Sequence, residues 1–402
     1  MSEPLVIIGN GMAAARLVEE LGRQALGRYA VLVVGAEPHL AYNRVLLSSV
    51  LAGEMTGAET ELKPRSWWEA QGVTLVYGRR AVAIDRDQHE VVLEDGARLP
   101  YAKLVLATGS DPIRLPKPGM DLPGVVAFRD HGDVDAMLSA AGPATRAVVI
   151  GGGLLGIEAA WGLAATGTRV TLVHLMDRLM ERQLDAEAAS LLKAALETRG
   201  ITVLLGADTA AVEGESCVEA VRLADGRVVP CDIVVSAVGI RPNGALAREA
   251  GLATGRGVIV DDRMTTSDPD IHAIGECAEH RGTCYGLVEP AYAQAATLAR
   301  HLAGRPAAYE GTVLATNLKV SGVPVFSAGD FLGAAGDEIV IWRDPGLATY
   351  RKLVLRGGAL AGAILFGETA DAPWYLDLIR TGRPLDRLRD AVIFGPALAE
   401  AA

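Results

Sequence analysis

The chain has 402 residues, half of them apolar, with 46 glycines, 5% aromatic residues and a formal charge of −11. Such a length builds two or three cores, and a glycine-rich, aromatic-poor make-up suits strand-to-helix turns between aliphatic layers, so an α/β fold is expected. The acidic balance excludes broad nucleic-acid binding, no apolar run approaches the ~20 residues of a membrane span, and the N-terminus lacks a signal-peptide pattern, so a cytoplasmic protein with no nucleic-acid or membrane partner is expected.

Residues 5–8 form an apolar strand run that ends at Gly9-Asn10-Gly11, and residues 12–21 then carry Ala, Leu and Val at helical spacing. The fingerprint Gly9-x-Gly11-x-x-Ala14 lets the backbone approach a pyrophosphate, with Met12, Ala13 and Ala14 supplying amides at the helix start. A second strand is predicted at 31–34. Glu37, just past it, either accepts hydrogen bonds from an adenosine ribose or is a solvated turn residue. A hairpin over 89–99 turns at Glu94-Asp95-Gly96 and leads to a strand at 104–107.

The same order of events then repeats. A strand at 147–150 meets Gly151-Gly152-Gly153-Leu154-Leu155-Gly156, a helix runs to about 165, and a strand at 170–173 ends at His174. A second hairpin over 218–229 and a strand at 233–237 complete the copy. Two such units imply two dinucleotide domains. Strict NAD preference calls for Asp or Glu where His174 stands, whereas a neutral residue with Arg178 nearby tolerates a 2′-phosphate; His174 is either such a contact or a solvated strand end, and NADH versus NADPH stays open.

A helix is expected over 291–302. Around Tyr309 the composition turns to short Gly- and Val-rich strands, clearest at 351–355 and 359–366, with a helix near 374–380. The expected domains are 1–112 and 239–308 for FAD, 113–238 for NAD(P)H, and a C-terminal α+β domain at 309–402. Cys217, Cys231, Cys277 and Cys284 form no CxxC pair, so neither a metal centre nor a disulfide framework is expected.

After the first fingerprint, four further ordered segments carry a family resemblance: Ala107-Thr108-Gly109-Ser110, the second fingerprint with Ile157-Glu158, Val238-Gly239-Ile240-Arg241-Pro242-Asn243, and the run from Thr266 to Ala278. The chain resembles the two-dinucleotide flavoprotein reductases, and within them the FAD/NAD(P)H portion of assimilatory nitrite reductase large subunits and the electron-transfer subunits of assimilatory nitrate reductase, with rubredoxin and ferredoxin reductases as close kin. Ala41-Tyr42-Asn43-Arg44, His174-Leu175-Met176, Gly275-Glu276-Cys277-Ala278 and Leu318-Lys319-Val320 carry the closer likeness.

The resemblance implies FAD and NADH or NADPH as cofactors and an iron–sulfur or other redox protein as electron acceptor, with the chain a monomer or homodimer. It implies that Thr108-Gly109 lies against the flavin nucleotide, that Glu276 reaches its ribityl and pyrophosphate region, and that Arg44 and Lys319 are cations near FAD. Glu158 would orient the nicotinamide, and Val82, Gly239 and Val288 would line the cofactor sites. Relatives that use a redox cysteine carry it near Asn43, and residues 42–47 here have none. The reduced flavin is therefore expected to hand electrons to an external acceptor, and without iron–sulfur cysteine clusters the chain is not expected to reduce nitrite alone. An NAD(P)H oxidase and a non-catalytic flavin-binding regulatory subunit are the alternatives.

Overall fold

The computed structural model describes residues 2–25, 27–318 and 322–399, which gather into two compact units. The first takes residues up to Leu47, Thr56–Asp111 and Ile240–Thr312; the second takes Ser48–Met55, Pro112–Gly239 and the chain from Val313 onward.

The first unit is organised by a five-stranded parallel sheet in the order Ile271–Ala273, Lys103–Leu106, Glu3–Ile8, Tyr29–Gly35, Thr74–Tyr77. Leu5, Val6 and Ile7 are buried one after another, as strands covered on both faces require. Ile8 pairs with Val34 on one side and Leu106 on the other, so three strands end level where the first glycine loop begins. The helices Met12–Gln24 and Val288–Leu302 pack together beside this sheet.

The second unit repeats the plan with a parallel sheet ordered Thr202–Leu204, Arg169–Val173, Arg146–Ile150, Ile233–Ser236, Val125–Val126. Here Ile150 pairs with Val173 and Ser236, again at the edge where glycines follow. In both sheets the loop lies at the carboxyl end of the central strand, the ligand-binding edge of open parallel sheets.

Each expected hairpin is a three-stranded antiparallel sheet: Ala81–Asp85 joins the first and Thr209–Glu213 the second. The helix Ala186–Thr198, whose buried Ala188, Ala189, Leu192 and Leu196 follow helical spacing, is not among the expected elements. The C-terminal segment forms an antiparallel sheet ordered Ala315–Leu318, Val325–Gly329, Ala359–Phe366, Thr349–Arg356, Glu338–Asp344. The helix Ala372–Thr381 packs on it, with Pro near its start and Gly382 in the left-handed conformation at its end.

Within the second unit this antiparallel sheet is tied to the helix Ala186–Thr198. Asp185 accepts from the Ala188 amide at 3.0 Å and from Tyr350 Oη at 2.7 Å, and Lys352 Nζ stands 3.4 Å away. Arg343 forks onto Glu187 at 2.5 and 2.7 Å. Among the described residues no helix is long and apolar enough to cross a membrane.

Candidate functional site

In the first unit Gly9 has φ 113°, and a Cβ there would lie 2.0 Å from the Ala107 carbonyl oxygen, so only glycine fits between the two strands. A Cβ on Gly11 would meet open space. Gly11 caps the helix Met12–Gln24, whose first turn, Met12-Ala13-Ala14-Ala15, is apolar throughout; its leading amides lack intrahelical acceptors and carry the positive end of the helix dipole. Ala14 is fully buried, and Ala13 stands 3.1 Å from where a side chain on Gly275 would begin. A cradle open at its second glycine and closed at its first fits a pyrophosphate held by backbone.

Glu37 follows the strand Tyr29–Gly35 and is partly buried rather than a solvated turn residue. Tyr42 Oη donates to its Oε2 at 2.7 Å, and Arg44 donates to Oε1 while its guanidinium lies 4.8 Å from the Tyr42 ring centre. Burial pushes the Glu37 carboxyl upward, but the Arg44 charge and the two hydrogen bonds outweigh it and hold the group below the usual carboxylate range. The carboxylate expected at the ribose and the cation expected near FAD thus form one ion pair.

Thr108 and Gly109 are pinned by Asn243. Thr108 Oγ1 donates to the Asn243 carbonyl at 2.9 Å, Asn243 Nδ2 returns a bond to the Thr108 carbonyl at 3.1 Å, and the Asn243 amide donates to Gly109 at 2.9 Å. Ser110 Oγ donates to Glu276 Oε2 at 2.7 Å, and the Gly275 amide donates to buried Gln294 at 2.7 Å. Val288 begins its helix within the same unit, while Val82 is an exposed residue on the strand Ala81–Asp85. Cys277 is buried, with Sγ 3.4 Å from the Leu106 carbonyl and 3.3 Å from that of Ile274; burial raises its thiol pKa, as it does for Cys284. Neither environment activates a thiolate.

In the second unit Gly151 has φ 117°, and a Cβ there would lie 2.3 Å from the Ala237 carbonyl oxygen. One on Gly156 would lie 1.8 Å from the Gly151 carbonyl oxygen, whereas Gly153, the cap of the helix Leu154–Ala165, faces open space. The opening turn, Leu154-Leu155-Gly156-Ile157, is again apolar. This cradle also fits a pyrophosphate at a helix N-terminus.

Glu158, one turn in, is 6% exposed, and burial pushes its carboxyl up to about 8. His174 is buried: the Gly152 amide donates to Nδ1 at 3.0 Å and Nε2 faces Glu181 Oε2 at 3.1 Å. The imidazole is spent on the protein itself. Leu175 and Met176, next in sequence, are 61% and 44% exposed. Gly239 accepts from the Ile113 amide at 3.0 Å. Lys319 lies outside the described residues.

Sequence reasoning missed Tyr42, Asn243, Ser110 and Glu181 as members of these networks. Asn243 and Ser110 sit inside the segments that carry the resemblance, and a polar side chain at the end of each such turn was the available signal. Glu181 had none, because it meets His174 only through the fold of the loop between them.

Residues 3–298 match the pyridine nucleotide-disulphide oxidoreductase family. The chain belongs to that family. Residues 315–383 match the rubredoxin NAD+ reductase C-terminal domain. A pyridine nucleotide-disulphide oxidoreductase with these features is an FAD-dependent NAD(P)H oxidoreductase, and its α/β fold with a C-terminal α+β segment is as the sequence led one to expect. The chain is 44% identical over 398 residues to nitrite reductase [NAD(P)H] of Bacillus subtilis (strain 168), covering 99% of this chain and 49% of that protein. It is 40% identical over 390 residues to the assimilatory nitrate reductase electron transfer subunit of the same organism, covering 97% and 51%. It therefore spans about half the length of these relatives. The crystal structure of the ferredoxin reductase for the CYP199A2 system from Rhodopseudomonas palustris superposes with a TM-score of 0.84 at 29% identity, covering 96% of this chain and 98% of that one.

Proposed function

We propose that this oxidoreductase passes electrons from NADH or NADPH through FAD to a one-electron redox protein of the iron–sulfur kind, in the setting of nitrate or nitrite assimilation. The observation that carries the reading is the pair of glycine-opened helix starts, one in each unit, each closed at its first glycine by a neighbouring strand and open at its second. FAD, when bound, supplies the conversion of a two-electron hydride donor into single-electron steps.

The chain's own residues supply binding, orientation and electrostatics. Gly11, Met12, Ala13 and Ala14 offer amides to the FAD pyrophosphate, and Glu37 accepts from ribose hydroxyls while Arg44 offsets charge beside it. Asn243 stiffens the Thr108-Gly109 turn, and Ser110 orients Glu276. In the second unit Gly153, Leu154 and Leu155 offer amides to the nicotinamide dinucleotide. Glu158, kept protonated at neutral pH by its burial, can donate a hydrogen bond to a carboxamide oxygen.

A stand-alone ferredoxin or rubredoxin reductase of another pathway is the second reading. It is favoured by the near-complete mutual coverage with the Rhodopseudomonas palustris reductase. An acceptor screen decides: with NADH as donor, the purified chain is expected to reduce an iron–sulfur protein faster than dioxygen. Oxygen consumption that accounts for all NADH oxidised points instead to an oxidase, and bound flavin that NAD(P)H never reduces points to a regulatory subunit.

A further inference from the structure

His174 has no role in the reading above, yet it is placed with care. It is 8% exposed, and the Gly152 amide donates to its Nδ1 while Glu181 meets its Nε2. A backbone amide only donates, so Nδ1 must be unprotonated; a carboxylate only accepts, so Nε2 carries the proton. The chemistry therefore selects the neutral Nε2–H tautomer. The ring also dictates residue 152, because a Cβ there would lie 2.6 Å from His174 Cγ and 2.7 Å from Leu179 Cδ2. The Met180 amide donates back to the Gly152 carbonyl at 2.9 Å. Residue 152 is thus held on both sides by the segment that follows the strand Arg169–Val173, one residue before the loop opens into its helix.

We propose that His174 is a positioning residue of the second dinucleotide loop: as the Nε2–H tautomer it holds the Gly152 peptide so that the amides of residues 153–155 stay aimed at the dinucleotide pyrophosphate. The inference rests on the reading that residues 151–156 hold the nicotinamide dinucleotide. A side chain at 174 with no acceptor in the place of Nδ1 would leave the Gly152 N–H unpaired in a buried place, which the loop relieves by moving. Among the described residues the polar partners of the ring are the Gly152 amide and Glu181, and Arg182 stands 3.9 Å from the other Glu181 oxygen. The His174 backbone bonds Leu204 and Ala207, which bring no ionisable side chain. Glu181 and the Gly152 amide together fix the tautomer and orientation of the ring, so ring and loop are coupled.

The test titrates FAD-loaded protein with NAD+ and NADP+, which leave the flavin oxidised, by calorimetry. His174→Asn, whose Oδ1 can still accept from Gly152, should match wild type in affinity. His174→Gln, which reaches towards Glu181 but loses the Gly152 acceptor, should bind about tenfold more weakly. In turnover with a dye acceptor, His174→Gln should raise KM for the nicotinamide donor more than it lowers kcat. Independently of any ligand, the imidazole 15N shifts should show His174 protonated at Nε2 and bare at Nδ1. Wild-type affinity in His174→Gln, an Asn variant as weak as the Gln variant, or a proton on Nδ1 overturns the proposal and leaves the binding reading intact. No binding of either dinucleotide by wild type overturns the binding reading and the proposal together.

Discussion

The two glycine loops are near copies in sequence and in local geometry, and they diverge in what stands at the end of the following strand. Gly9 and Gly151 both take positive φ against a neighbouring carbonyl, and Gly11 and Gly153 both face open space at a helix start that no side chain caps. After the first loop the chain offers Glu37, a carboxylate outside the loop that takes bonds from Tyr42 and Arg44. After the second it offers His174, which turns back onto the loop. The backbone cradle is a generic phosphate binder; what distinguishes one cradle from the other lies in side chains the fingerprint does not contain.

The third small residue separates the loops most sharply. Ala14 accommodates its methyl in a fully buried site, whereas a methyl at Gly156 would lie 1.8 Å from the Gly151 carbonyl oxygen. Gly156→Ala should therefore weaken NAD+ binding by about 100-fold or more while FAD stays bound, and Ala14→Gly should leave both cofactors in place. Titration of the yellow protein with NAD+ measures both. Equal effects at the two positions would show that the loops are interchangeable.

Glu158 is the fifth residue of its helix, and the fifth residue of the first loop's helix is Arg16. Its carboxyl is raised from 4.5 to about 8, so its burial favours the folded state fully only below the unfolded value, and that stability is lost as pH rises towards about 8. Glu158→Gln should remove the slope and stabilise the protein above pH 8 by on the order of a few kcal/mol, read as a rise in Tm there with little change near pH 4.5. A parallel pH dependence in mutant and wild type would place the proton elsewhere.

Glu37 shifts the opposite way. Its depressed carboxyl is charged at neutral pH, and its pairing is lost as pH falls through that depressed value. Glu37→Gln should loosen FAD about tenfold at neutral pH without altering the affinity for NAD+, measured by flavin release on dilution. A smaller effect is expected at the C-terminal arginines. Residues 343–402 carry eight Lys and Arg against seven Asp and Glu, making them the least acidic part of the chain. Arg389 is paired with Glu338 at 2.7 Å, which leaves exposed Arg383 and Arg387 as the stronger candidates to meet an acidic iron–sulfur partner. Replacing both with Glu should slow reduction of that partner by about threefold at low ionic strength and leave dye reduction unchanged. Identical rates across a salt series would make the cluster plain surface.

Much of the fold was legible because parallel strands buried on both faces read as apolar runs and glycines punctuate them: the strands at 5–8 and 147–150 and the helices that follow lie where the pattern put them. The strands Ala81–Asp85 and Thr209–Glu213 escaped because their apolar runs are short and rich in alanine, which carries little of the β-branched and aromatic character that marks a strand. At the sites, sequence placed Glu37 and His174 at strand ends but not their partners. Arg44 on Glu37 and Glu181 on His174 depend on how a loop folds back, which neither helical nor strand periodicity encodes.

The most direct test of the whole is a single anaerobic mixing experiment. Protein purified with about one FAD per chain is mixed with excess NADH, and separately with NADPH, while the flavin's visible absorbance is followed. At least one donor should bleach it within seconds, and a one-electron acceptor added afterwards should restore the colour. Bound FAD that stays oxidised with both donors, in protein that binds NAD+ or NADP+, would contradict electron transfer between the two sites.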